Sequence, residues 1–148
     1  MNLWHPIVPV EQLHPNFKQV SQAGHYASER AVVDGWAQGF VDRDGNGKFI
    51  KEFQTTFNSC FWEMYLFACF KELGVQIDFS HAFPDFVTKG HPTDFVAEAV
   101  IASNPEGYAP EWEPGPKLST EKRDWTDVEK LLVLASIRLS NAITTKLD

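Results

Sequence analysis

The chain has 148 residues and a formal net charge of −7, a length that accommodates one domain with at most an extension. Hydrophobic residues at 43% and twelve Phe supply enough apolar area to exclude a mainly disordered chain, and no apolar run approaches the ~20 residues of a membrane helix. A pI near 5.2 argues against a general nucleic-acid coat protein, which needs a basic stripe, but it leaves an acidic nuclease open, because metal-binding carboxylates make such sites acidic. The opening Met1-Asn2-Leu3-Trp4-His5-Pro6 lacks the basic region and apolar run of a secretory signal. Cys60 and Cys69 fall in one helix-like segment, separated by ~13 Å of helical rise, too far to pair with each other. A reducing cytoplasm is the expected setting.

In chain order, residues 1 to 20 carry Pro6, Pro9 and Pro15 and are expected to form an irregular arm. Residues 21 to 41 hold Ala27, Ala31, Trp36 and Phe40 at loose helical spacing, opposed by the helix-weakening Gly24, Gly35 and Gly39. The stretch Asp42-Arg43-Asp44-Gly45-Asn46-Gly47 reads as a turn between short extended arms. Asp42, Asp44, Asn46 and Gly47 also match positions 1, 3, 5 and 6 of a calcium loop. Position 12 requires a bidentate Glu, however, and Phe53 stands there with Glu52 one residue early, so the plain turn is favoured.

Residues 57 to 73 predict a helix that is apolar nearly all round and therefore buried, with Gly74 as its stop. Strands are expected at Val75 to Phe79, Phe83 to Val87 and Asp94 to Ala102, the last apolar enough for a central strand. Residues 103 to 125, with Pro105, Pro110, Pro114 and Pro116, read as a long loop. Thr126 and Glu129 then form a capping box for a final helix, whose apolar stripe is Val128, Leu132, Ala135, Leu139 and Ala142.

Three acids break this pattern. Glu63 lies inside the apolar helix, with Ser59, Cys60, Leu66 and Phe67 as its helical neighbours. A carboxylate there needs a cation, a basic partner or an opening to water, and the bland alternative is a helix-edge Glu reaching solvent. Glu98 interrupts the apolar run Phe95-Val96-Ala97-Glu98-Ala99-Val100-Ile101, and local violations of this kind tend to mark sites. Asp85 follows Pro84 at the start of a strand, where an ordinary turn Asp is the competing reading. Carboxylates on neighbouring strands can hold one Mg²⁺ through oxygen ligands, and a cation so held polarises a phosphodiester and acidifies a bound water. Zinc spacings, nucleotide-binding glycine loops and nucleophile elbows are missing from the sequence.

Phe53-Gln54-Thr55-Thr56-Phe57-Asn58-Ser59-Cys60-Phe61-Trp62-Glu63-Met64-Tyr65-Leu66, followed by Pro84-Asp85-Phe86 and by Val96-Ala97-Glu98-Ala99, resembles a branch of the PD-(D/E)XK, or restriction-endonuclease-like, nuclease superfamily, with an FWExYL helix ahead of the PD motif. The resemblance spans about residues 38 to 147. It implies an α/β fold with an αβββα core, arranged as an N-terminal arm and helix over residues 1–37 and a partial nuclease-like core over 38–148, a single domain overall. It further implies that Glu63 helps to orient a Mg²⁺ or Mn²⁺ ion, that Asp85 and Glu98 are its main ligands, and that the Ala99 carbonyl is an extra one. The family lysine is expected two residues after Glu98, where Val100 stands. Lys146, or else Arg138, would supply that charge from the last helix; the plain alternative for Lys146 is a solvated lysine at a helix C-terminus. The family core also continues with a further strand beyond that helix, which this sequence does not include.

Two functions are therefore expected in competition. One is a Mg²⁺-dependent nuclease hydrolysing phosphodiesters of nucleic acid. The other is a catalytically degenerate nuclease-fold module that binds a protein or associates with itself to complete the sheet, or that mimics nucleic acid in a phage–host conflict. Neither involves a membrane.

Overall fold

A computed structural model describes residues 1–81, 83–90, 93–102, 113 and 125–144. It is mixed α/β: among the described residues there are five α-helices and a small antiparallel sheet of three strands in the order β1-β2-β3. The chain divides into two compact units, Met1–Ala99 and Val100–Asp148. No helix among the described residues is long and apolar enough to cross a membrane.

The first α-helix, α1 (Pro15–Gln22), begins inside the stretch expected to be irregular. Its prolines misled because Pro15 occupies the first helical position, where a missing N–H costs nothing and a fixed φ favours the helix. The ring of His14 accepts from Asn16 N–H at 3.1 Å and caps the start. Helix α2 (Ala27–Trp36) follows, and its Arg30 donates to the Val20 and Ala23 carbonyls at the end of α1. The Lys71 ammonium likewise donates to the carbonyls of Gly35, Trp36 and Gln38 where α2 ends.

The Asp-rich turn is present, but it leads into a helix rather than an extended arm. Helix α3 (Lys48–Thr55) starts from Gly47, whose φ of 74° suits glycine, and Asp42 Oδ1 accepts from the Phe49 N–H at 3.4 Å. The acidic pattern therefore caps a helix. Helix α4 (Phe57–Glu72) is the expected long element. It ends as the sequence implies: Gly74 takes a φ of 71°, Gly74 N–H reaches the Lys71 carbonyl, and Val75 N–H reaches the Phe70 carbonyl at 2.9 Å. It is not buried all round, however. Phe57, Cys60, Met64, Phe67 and Ala68 are buried, whereas Tyr65 is exposed.

These helices enclose one aromatic core. Phe17, Phe53 and Met64 are fully buried, joined by Leu3, Leu13, Phe49 and Phe57. Trp4, Phe17, Phe53 and Phe57 meet mostly edge to face, Phe53 and Phe57 at 5.1 Å between centroids. Gln54, also fully buried, ties the N-terminal segment to α3. Its Oε1 accepts from Ile7 N–H at 2.9 Å and its Nε2 donates to the carbonyls of Leu3 and His5.

Strands β1 (Gln76–Ile77), β2 (Phe86–Lys89) and β3 (Val96–Ala97) form the sheet, with Ile77 opposite Thr88 and Phe86 opposite Ala97. The central strand is β2, not the third. Apolar composition over residues 94–102 does not produce a long strand because β3 lies at the edge, with Val96 66% exposed. Buried Phe86 packs on Phe70 of α4 at 5.2 Å, which fixes the sheet against that helix.

The second unit is described chiefly through helix α5 (Trp125–Thr144). It begins just before Thr126, the expected cap. Leu132 and Leu139, from the predicted stripe, are both more than half exposed.

Candidate functional site

Three elements of the first unit bring the predicted acids together. Helix α4 carries Glu63 in its second turn, Asp85 immediately precedes β2, and Glu98 immediately follows β3. Antiparallel pairing of Phe86 with Ala97 sets Asp85 and Glu98 across from each other at one end of the ladder. They are locked there by reciprocal bonds: Asp85 N–H donates to Glu98 Oε2 at 3.0 Å, and Ala99 N–H donates to Asp85 Oδ2 at 2.7 Å. Charge-assisted bonds of this kind are among the stronger ones available to a backbone amide. The expected contribution of Ala99 is its carbonyl; the contact recorded for it is through its N–H.

Glu63 and Asp85 line a cleft of about 210 Å³ with Asp42, Arg43, Asp44, Lys48 and Glu52. The Glu63 side chain is only 16% exposed. Burial pushes its carboxyl up to about 7, the nearby charge of Asp85 adds to the rise, and smaller contributions come from Glu52 and Glu98, while Arg43 works in the opposite direction. Glu63 thus senses both other acids, and the cleft is short of positive charge. The Cys60 thiol, one turn earlier on α4, is raised to about 11 by burial, so it is a protonated packing group. Cys60 and Cys69 are both free thiols, as their spacing implies.

Arg43 is the residue that reading the sequence missed. It sits in the turn before α3, noted there only as part of a calcium-like pattern. Its Nη2 meets Glu63 Oε1 at 3.4 Å, and its Nη1 donates to the carbonyls of His81 and Pro84 at 3.1 and 3.0 Å. One signal was available: a lone Arg between two Asp, twenty residues ahead of an acid that burial would leave in need of a partner.

The Gln54 amide is committed to Leu3, His5 and Ile7. The His81 ring stands 3.7 Å from Asp78. Val100 and Arg138 belong to the second unit, and Lys146 and His91 lie outside the described residues.

Carboxylate oxygens are the donors that a hard divalent cation takes, and two of them, those of Asp85 and Glu98, are held on facing backbone segments. Among the described residues no group of three or more His, Cys, Asp or Glu side chains stands close enough to hold a metal ion, so a site here would rest on the two strand carboxylates and a backbone carbonyl. No protein-family model matches this chain, and comparison with curated proteins and with solved structures likewise finds no significant match.

Proposed function

We propose that this chain is a restriction-endonuclease-like domain that hydrolyses nucleic-acid phosphodiesters with a bound Mg²⁺ or Mn²⁺. One observation carries the reading. Acids separated by 22 and 13 residues, on a helix and on two strands, converge on one region in the chain order helix, strand, strand, strand, helix. Asp85 and Glu98 would hold the ion with the Ala99 carbonyl, and the ion would polarise the phosphodiester and acidify a water. The chain's own residues do the rest. The reciprocal amide bonds fix the two strand carboxylates at one depth. Glu63, raised to about 7 by burial, would exchange a proton near neutral pH, and the carboxylate left behind would face the Arg43 guanidinium. The cations that line the cleft with Glu63 and Asp85 are Arg43, paired with Glu63, and Lys48, and either would stand in for the lysine that Val100 displaces.

Purified chain incubated with Mg²⁺ or Mn²⁺ and single- or double-stranded DNA or RNA is expected to cleave at least one of them, and Asp85→Ala is expected to abolish cleavage, at least about a hundredfold for loss of a metal-positioned water. Silence on all four substrates, with no rise in melting temperature on adding either ion, would remove the reading.

A second reading follows from the Arg43–Glu63 pair, which already sets a cation of the protein among the acids. In it the cluster is architectural, and the chain is a degenerate, acidic module that docks onto a protein through a sheet edge at β1 or β3. A chain inert to both ions that nonetheless binds a basic nucleic-acid-binding protein would favour it.

A further inference from the structure

Arg43 makes the longest connection in the site. Its guanidinium joins the turn before α3 to Glu63 on α4 and to two carbonyls, those of His81 and Pro84, on the backbone leading to Asp85. Its side chain is 13% exposed, so water competes weakly for these bonds. The planar fork suits the task, because one nitrogen faces the carboxylate while another serves both carbonyls, a division that a single ammonium reproduces poorly. Pro84 is the residue whose carbonyl belongs to the peptide of the Asp85 N–H, and that N–H donates to Glu98. Both faces of this one peptide are therefore held, its oxygen by Arg43 and its nitrogen by Glu98. Sequence separations of 20, 38 and 41 residues make Arg43 the bolt between elements that local folding cannot align.

We propose that Arg43 is a positioning residue: by gripping the Pro84–Asp85 peptide and Glu63 together, it sets the depth of the Asp85 carboxylate relative to Glu63 and Glu98. The inference deepens the nuclease reading and rests on it for its purpose, but its geometry is tested separately. Arg43 pairs with Glu63 from α4, and the charged groups that line the same cleft are Asp42 and Asp44 from its own turn, Lys48 and Glu52 from α3, and Asp85 ahead of β2.

The test is amide hydrogen exchange on the full chain, comparing wild type with Arg43→Lys and Arg43→Ala. The reporters are the N–H groups of Asp85 and Ala99, which make the reciprocal bonds, with Asp78 N–H, bonded to the Val87 carbonyl at 2.8 Å, as a reference in the same sheet. In both variants Asp85 and Ala99 are expected to exchange about tenfold faster or more, the effect of losing a charge-assisted restraint, with Asp78 little changed. The lysine variant retains the charge beside Glu63, so the Glu63 carboxyl titration followed by ¹³C NMR stays near its wild-type position there and moves upward in the alanine variant. If Asp85 and Ala99 keep their wild-type rates in Arg43→Lys, or accelerate only in step with Asp78, the proposal is overturned. Should Arg43→Ala fail to fold, the lysine variant alone decides. Addition of Mn²⁺ to wild type separates the two ideas: no perturbation of the Asp85 and Ala99 resonances defeats the metal-site reading and leaves the exchange result standing.

Discussion

The helical body and the acid-bearing sheet of the first unit are held together by different forces. Between α1, α3 and α4 the contacts are largely aromatic, with Phe17 and Phe53 fully buried, Trp4 and Phe57 closing around them and an Asn16–Asn58 bond from α1 to α4. The strands β1, β2 and β3 are two to four residues long, and side chains do much of the joining. Thr88 Oγ1 donates to the Phe95 carbonyl and accepts from the Phe95 N–H. Lys89 reaches Asp78 at 2.6 Å and pulls that carboxyl well below the usual range. Asp85, Glu98 and Arg43 complete the set. Stability concentrated in one region and polar positioning in the other is what a site on a rigid support requires.

The sharpest way to break the comparison is in the aromatic region. Phe53→Ala removes a ring that touches Trp4, Phe17, Phe49 and Phe57, and a loss of about 4 kcal/mol is expected in urea unfolding. Gln54→Leu fits the space but strands the Ile7 N–H and the Leu3 and His5 carbonyls. A cost of about 3 kcal/mol is expected, with limited proteolysis cutting first within residues 1–13.

On the acid side the effect changes sign. The Glu63 carboxyl lies near 7 in the folded chain against an ordinary 4.5. Between those values the native state holds the proton more tightly than the unfolded chain, so this residue's contribution to stability falls as pH rises through the window. The full swing is about 3 kcal/mol. Glu63→Gln cannot ionise, and chemical denaturation should find it about 3 kcal/mol more stable than wild type at pH 8, the Arg43 attraction being already contained in the shift, and nearly equal at pH 4.5. Equal curves at both pH values would show that the carboxyl is not held in a desolvated setting. The smallest effect is expected from Thr88→Val, about 1 kcal/mol, because exposed Phe95 can turn to water for the bond it loses.

How much of this was legible depended on the range of the interaction. The apolar run 57–73 and its glycine stop are local signals, and α4 with its Gly74 ending answers to them. The acids Glu63, Asp85 and Glu98 stood out because each interrupts an apolar or strand-like context, and they do share one region. Prolines were misread where position mattered more than identity, as at Pro15. The acidic turn gave its shape but not its outcome, since whether a helix or a strand follows Gly47 depends on Phe49 and Phe53 finding a core. The third strand is present as β3, but it is short and, among the described residues, at an edge: apolar residues suit a central position only when strands exist on both sides.

The sequence by itself determined the long helix, the presence of strands after it and the three carboxyl groups out of keeping with their surroundings, because periodicity and its violations are written within a few residues of one another. Only the tertiary structure decided that Arg43 faces Glu63, that Gln54 fastens the N-terminal segment and that a threonine side chain extends the sheet. Buried polar groups take whichever partner the packed backbone brings within about 3 Å, and that choice is made between residues tens of positions apart.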